Sequence, residues 1–379
     1  MAAPLEGFKV LDLSRILAGP FAGQTLADLG ATVIKVEAPG GDDTRTWGPP
    51  FIERDGDRSA AYFYAANRGK RSVMADFGNE EDLVFVRNLA AQADILLENF
   101  KVGGLAKFGL DYPALAALNP GLVYCSITGF GQDGPYADRA GYDYLIQGMS
   151  GLMSITGAPD GEPQRVGVAI TDLVSGLYSV IGILAALHDR DRTGRGQQLD
   201  ISLLDSATAI LANQAMNYFA GGTAPGRLGN IHPNIVPYQV FPVADGEVII
   251  ASGNDAQYRR LCKVLGRSEL ADSPLYATNG DRVRRRDVLV PLLTEATREW
   301  TRDALLAALE AVKVPAGPIN SIAQVVDDQQ IRSRGMHIRP EGVDGLRSPF
   351  RFSESTLETT RTAPMLDEHR TEVRDKGFG

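Results

Sequence analysis

Short apolar runs alternate with helix-patterned ones through the first half of the chain. Phe8–Leu13 (FKVLDL), Thr32–Val36, Arg71–Ala75, Asp94–Glu98 and Leu122–Thr128 are rich in Val, Ile and Leu without polar alternation. Runs of that kind are strands buried on both faces. Between them, Pro20–Leu29 carries a proline near its first turn, and Asn79–Gln92 carries helical spacing. Strands separated by helices predict an α/β fold: a Rossmann-like, mostly parallel sheet covered on both sides.

The pattern then changes. Leu173–Leu187, within LVSGLYSVIGILAALHDR, repeats apolar residues at three- and four-residue steps and predicts a helix. TGRGQQLDISLLDSA (193–207) reads as a turn, a strand and the start of a helix that ends at Gly221-Gly222. From Pro225 the chain reads as a smaller α+β unit. VPYQVFPV (236–243) and EVIIAS (247–252) flank the hairpin signal Asp245-Gly246, and helices follow near 255–265 and 284–311. Segment 340–379 is too short and polar to fold alone, so it packs back on the first unit. The expected division is a large domain over 1–200 completed by 325–379, a helical linker over 201–224, and a small domain over 225–324.

A chain of 379 residues suits two or three units, and 44% hydrophobic with 22% charged residues suits a globular core. The net charge of −9 and pI near 5.1 speak against nucleic-acid or anionic-membrane partners. No apolar run is expected to reach the ~18 residues a bilayer needs, since Ser175, Gly176 and Ser179 interrupt the longest. The start of the chain shows no charged-then-apolar leader. Two cysteines, Cys125 and Cys262, cannot form a disulfide framework, and the expected compartment is cytoplasmic. Four scattered histidines, without paired cysteines or an H-E-x-x-H, predict no metal.

The sharpest chemical feature is RVGVAITDL (165–173), where Asp172 sits at the start of the apolar helix. A carboxylate there faces first-turn N–H groups and is expected to stay ionised, fit to attack a carbonyl or thioester. The plain alternative is a helix cap. GFGQDG (129–134) is a formal G-x-G-x-x-G, but no helical pattern follows, so a turn permitting close backbone approach fits better than a dinucleotide site. VLDLSRILAGPFAGQ (10–24) has the form of an anion-binding strand–loop–helix, with Arg15 just past the strand. Lys35, Arg68, Lys70, Arg71, Lys101 and Lys107 recur at strand ends and loops. As a group they suggest a polyanionic small ligand; singly, each reads as a solvated charge.

These residues, taken in order, resemble the class III CoA-transferases, the family of formyl-CoA transferase and α-methylacyl-CoA racemase. The likeness runs through VLDLSRILAGPFAGQTLADLGATVIKVE (10–37), NRGKRSV (67–73), ENFKVGGLAKFGLDY (98–112), CSITGFGQDGPYADRAGYD (125–143), GVAITDLVSGLYSVIGILAAL (167–187), TGRGQQLDISLLDS (193–206) and VPAGPINSI (314–322). DDTRTWGPPF (42–51), SGLMSITG (150–157) and NIVPYQVF (234–241) are most similar to the dicarboxylate branch, the succinyl-CoA:glutarate CoA-transferases.

The resemblance implies that Asp172 carries aspartyl anhydride and aspartyl-CoA thioester intermediates while coenzyme A moves between carboxylic acids. It implies a CoA site at Arg15, Ile16, Leu17, Ala18, Asn99 and Lys107, with Lys101 and Tyr142 assigned to the same site. It also implies a homodimer of interlocked ring-shaped subunits. Leu17 stands where formyl-CoA transferase has Gln and its tetraglycine loop is missing, which points away from formyl or oxalate chemistry; Ala38 replaces a common Arg, so the adenine or phosphate contacts there are expected to differ. The racemases carry G-H-D where this chain has Gly141-Tyr142-Asp143; a tyrosine of pKa ~10 is a poor α-proton base, so transfer is favoured over racemisation. Arg45 is the expected partner of an acceptor's distal carboxylate, against a loop salt bridge to Asp42 or Asp43; Arg165 and His232 are further candidates. A non-catalytic CoA-binding protein is the alternative from a different class.

Overall fold

The computed structural model describes residues 2–379, and the chain divides into two compact units. The larger takes the chain through Met153, then Arg165–Ala224 and Gln329–Gly379; the smaller is Ser154–Gln164 with Pro225–Asp328. Segment 201–224, read from the sequence as a linker, thus lies in the larger unit, and residues 154–164 lie in the smaller.

Six parallel strands organise the larger unit: β1 (Lys9–Asp12), β2 (Thr32–Glu37), β3 (Arg71–Met74), β4 (Ile95–Glu98), β5 (Val123–Thr128) and β6 (Gln198–Ser202). Their order across the sheet is β3-β2-β1-β4-β5-β6. The direction of winding reverses between β1 and β4, and ligands of open α/β sheets bind outside the carboxyl ends at such a switch point.

Alternate residues of each strand supply the two faces. Val10, Ile95, Leu97, Val123 and Cys125 point to one side, and Leu11, Leu96 and Tyr124 to the other. The first face is covered by α1 (Ala18–Asp28) and α4 (Ile170–Thr193), through Ala22, Leu26, Ile183 and Leu187. The second is covered by α2 (Glu80–Gln92), through Val86 and Leu89, and by Val373 of the C-terminal helix α10 (Arg370–Lys376). Each fully buried Val, Leu or Ile contributes about 1.5–3 kcal/mol, so these two layers fix the sheet.

Helix α4 departs from expectation. It has 24 residues and contains an 18-residue stretch of mean hydropathy 1.8, long and apolar enough to cross a membrane by length and composition. The serines that interrupt its sequence do not make it polar, because Ser175 and Ser179 donate their hydroxyls to the Thr171 and Ser175 carbonyls. Those small residues let α4 press onto α1. A Cβ on Gly176 would stand 2.7 Å from the Ala18 carbonyl oxygen.

An antiparallel hairpin, Phe51–Arg54 with Asp57–Ala60, lies between β2 and β3 and was not read from the sequence. Its signal is Asp55-Gly56, both at positive φ (49° and 88°), as a two-residue turn requires.

The smaller unit holds β7 (Tyr238–Val243), β8 (Gly246–Ala251) and β9 (Ala316–Gly317), antiparallel in the order β9-β8-β7. Helices α7 (Asp255–Val264), α8 (Arg286–Thr297) and α9 (Arg302–Ala311) pack on Phe241, Val248 and Ile250 through Leu261, Leu293 and Leu305. The single helix expected over 284–311 is therefore two.

Candidate active site

The loop leaving β1 is held at every backbone polar group from Ser14 to the Ile16 amide. Asp12 accepts the Ser14 amide at 2.9 Å, and Lys35 Nζ donates to the Ser14 carbonyl at 2.7 Å. Asn99, just past β4, grips Arg15 from both sides: its Oδ1 accepts the Arg15 amide at 2.9 Å and its Nδ2 donates to the Arg15 carbonyl at 2.6 Å. The Ile16 amide donates to both Asp42 oxygens at 3.3 Å. The loop crossing the switch point is thereby preorganised. The Arg15 side chain stays exposed, paired with Asp43 at 3.1 Å.

Asp172 enters from the first turn of α4. The helix is entered at Ala169, and Asp172 is its third residue rather than its cap. Capping comes from Asp143, on α3 (Asp143–Met149), whose Oδ1 accepts the Thr171 amide at 2.9 Å and its hydroxyl at 2.8 Å. Gln147 fixes Asp143 in turn, donating to its Oδ2 at 2.8 Å. Among the described residues the Asp172 carboxylate accepts no hydrogen bond. Burial first, and then the nearby Asp143, push its pKa up to about 7. The expectation of a carboxylate held ionised by its helix therefore fails, because Asp143 takes the Thr171 amide, the Ile170 and Leu173 amides go to backbone carbonyls, and Asp143 adds a like charge. Tyr62 lies toward the same pair: burial, then Asp172 and Asp143, raise its phenol above the ordinary value.

A cavity of 160 Å³ brings together Asp172, Arg15, Ile16, Leu17, Ala18, Asn99, Lys101 and Tyr142. Gly129 and Gly141 both line it. A Cβ on Gly129 would stand 2.6 Å from the Gly141 Cα, so the glycine of GFGQDG serves backbone-to-backbone approach. A second cavity, of 600 Å³, opens between the ends of β1, β2 and β3, and both cavities are lined by Arg15 and Phe100. Phe77 stacks near Phe100 (26° between ring planes) and meets Phe108 edge-on at 5.5 Å, giving the second cavity an aromatic wall. Lys107 sits over the Phe108 ring at 4.7 Å.

Other expected residues lie elsewhere. Arg45 is buried, with Nε and Nη2 on the two oxygens of Glu37 at 2.8 and 2.7 Å, Nη1 on Ser59, and its plane 3.6 Å from the Phe63 ring centre. Its partner is Glu37 rather than Asp42 or Asp43, and its donors are spent inside the protein. Arg165 is exposed, its Nη1 on the Val166 and Gly167 carbonyls at 3.3 Å. His232 belongs to the smaller unit, its Nδ1 accepting the Asn234 amide at 3.1 Å. The basic group also divides. Lys35 pairs with Asp42, Lys70 with Asp12, Arg68 with Asp28 and Arg71 with Glu372, whereas Lys101, Lys107 and the Asp43-paired Arg15 are exposed.

The CoA-transferase family III profile matches residues 5–370. The chain belongs to CoA-transferase family III. It is 54% identical over 378 residues to the succinate–glutarate CoA-transferase of Agrobacterium fabrum, covering 98% of this chain and 94% of that one. It is 42% identical over 376 residues to the human succinyl-CoA:glutarate CoA-transferase, covering 98% and 85%. A crystal structure of a CaiB/BaiF family protein from Brucella suis superposes with a TM-score of 0.90 at 58% identity, covering 99% of this chain and all of that one. This family III CoA-transferase accordingly acts on CoA thioesters.

Sequence reasoning missed Tyr62, Gln147 and the aromatic wall of Phe77, Phe100 and Phe108 in this transferase. Asp143 was read only as part of Gly141-Tyr142-Asp143. Its capping of Thr171 spans 28 positions of sequence, and no local pattern encodes that distance.

Proposed function

We propose that this transferase moves CoA from succinyl-CoA to glutarate or a similar dicarboxylate through covalent intermediates on Asp172. The observation that carries the reading is a carboxylate without hydrogen-bond donors, in the cavity formed by the β1 and β4 loops. The relatives' names supply the choice of acids.

Asp172 attacks the donor's thioester carbonyl; the C–S bond breaks, giving an acyl-aspartyl anhydride and CoA thiolate. The thiolate attacks the aspartyl carbonyl and expels the donor acid, which leaves with one Asp172 oxygen. The acceptor carboxylate then displaces the thiolate from the aspartyl-CoA thioester, forming a second anhydride. Thiolate attack on the acceptor's carbonyl releases the new thioester and returns Asp172 carrying one acceptor oxygen. The acyl group stays activated throughout, provided that water is excluded. A carboxylate titrating near pH 7 is partly ionised where it works and is not stabilised by donors that would blunt attack.

The thioester end of the substrate occupies the smaller cavity and the nucleotide end the larger. There Phe100 and Phe108 offer π-faces to the purine, and Arg15, which lines both cavities, opposes its phosphates, with Lys101 on the wall of the smaller cavity and Lys107 over the Phe108 ring as further exposed cations. Arg165, in the same unit as Asp172, is the candidate for the acceptor's second carboxylate. Exposed Leu177 and Ile181 on α4, with Met216 and Phe219 on α6 (Ala212–Gly221), are apolar surface that a second copy would cover, in a homodimer. Buried free thiols at Cys125 and Cys262 fit a reducing, cytoplasmic setting.

Turnover with succinyl-CoA and glutarate labelled with heavy oxygen tests the covalent route. The peptide containing Asp172 gains one heavy oxygen in a single turnover of the wild type and a second on repeated turnover. Glutaryl-CoA formed with no label at Asp172 contradicts it.

A further inference from the structure

Ile16 stands at φ 73°, in the left-handed region that a β-branched residue rarely enters. Something must hold it there, and the contacts identify what does. Asp42 is almost fully buried, with both oxygens receiving the Ile16 amide. The same carboxylate accepts the Thr44 amide at 3.0 Å and hydroxyl at 2.7 Å, which locks its rotamer. Lys35, equally buried, pairs with Asp42 at 3.0 Å and also donates to the Ser14 carbonyl at 2.7 Å. One ion pair therefore clamps the tripeptide Ser14–Ile16 at both ends. The Asp42 amide is itself tied to Glu37 at 3.0 Å, so the clamp is anchored to the end of β2.

The residues that follow make the clamp matter. Leu17 and Ala18 line the cavity that contains Asp172, and α1 begins there without a side-chain cap. First-turn amides of a helix have no intrahelical acceptor, so they remain for a ligand. An oxyanion forming at a carbonyl bonded to Asp172 requires such preorganised donors.

We propose that Asp42, through its ion pair with Lys35, is a positioning residue for the transfer reaction: it fixes Ile16 in the left-handed conformation that aims the amides opening α1 at the carbonyl bonded to Asp172. This rests on Asp172 being the covalent carrier. Asp42 touches no substrate in this role. It acts through the Ile16 backbone, and its loss misaims donors without removing them.

The test measures kcat and KM for acyl-CoA, per folded protein, in Asp42→Asn and in the Lys35→Gln/Asp42→Asn double variant, which leaves no buried charge unpaired. A misplacement of about 1 Å costs up to roughly a hundredfold, so kcat falls about ten- to a hundredfold in both. KM changes much less, because the lost interaction belongs to the transition state. Adding Ile16→Gly to Asp42→Asn recovers part of kcat, since glycine adopts positive φ unaided. Ile16→Pro, which spares the buried pair but forbids positive φ, lowers kcat likewise. Wild-type kcat in folded Asp42→Asn or Ile16→Pro overturns the proposal, as does a loss confined to KM. Absence of CoA exchange in the wild type would instead refute the transferase reading on which it stands.

Discussion

At Asp172, burial and the neighbouring Asp143 both favour the protonated acid, and the group titrates near pH 7. The attacking form is the carboxylate, so kcat/KM rises with pH through about 7 and levels off above it. Asp143→Asn keeps an oxygen for Thr171 but removes the neighbouring charge, so the rising limb moves to lower pH. A pH–rate profile for both proteins checks this; a limb unmoved by Asp143→Asn would show that burial alone sets the value. Arg45 illustrates the opposite fate of a charged residue. Its guanidinium has the chemistry to hold a diacid, yet Glu37, Ser59 and the Phe63 ring consume it. Charge type was legible in the sequence, whereas the partner was not.

At the scale of elements, the sheet carries its site on buried ion pairs. Lys70 donates all three protons, to Asp12 at 2.8 Å, the Pro20 carbonyl at 2.8 Å and Asn67 at 2.9 Å, tying β1, the start of α1 and the approach to β3 together. Lys70→Met leaves the buried Asp12 charge without its ion-pair partner and costs about 3–5 kcal/mol in urea unfolding. Asp12→Asn/Lys70→Met recovers much of that cost. A single variant as stable as the wild type would mean that water or rearrangement supplies Asp12. The inner strands were legible because β4 and β5 are largely apolar runs buried on both faces, whereas β6 at the sheet edge leaves Gln198 and Asp200 exposed. Their boundaries at Phe8–Leu13 and Leu122–Thr128 differ from β1 and β5 by only a residue or two. What could not be read was which lysines turn inward. Lys35 sits in TVIKV and Lys70 in NRGKR, and nothing local separates them from exposed Lys101 and Lys107. Their partners lie on other strands and loops, and only the assembled sheet supplies them.

At the scale of the whole molecule, exposed apolar side chains on α4 and α6, Phe219 at 72% exposure among them, are more than isolated surface residues and call for a cover. The expected native mass is twice the 40.7 kDa of one chain at micromolar concentration, measured by sedimentation or light scattering. A monomer there would contradict the dimer. The loop clamp, the donor-free Asp172 and the paired cavities converge on one activity, and one assay reaches it most directly. The wild-type protein and Asp172→Ala are each mixed with succinyl-CoA and glutarate, and the CoA thioesters are resolved by mass spectrometry. The account predicts glutaryl-CoA and free succinate from the wild type and neither from Asp172→Ala, with CoA still bound by the variant. Glutaryl-CoA formed at the wild-type rate by Asp172→Ala would contradict it.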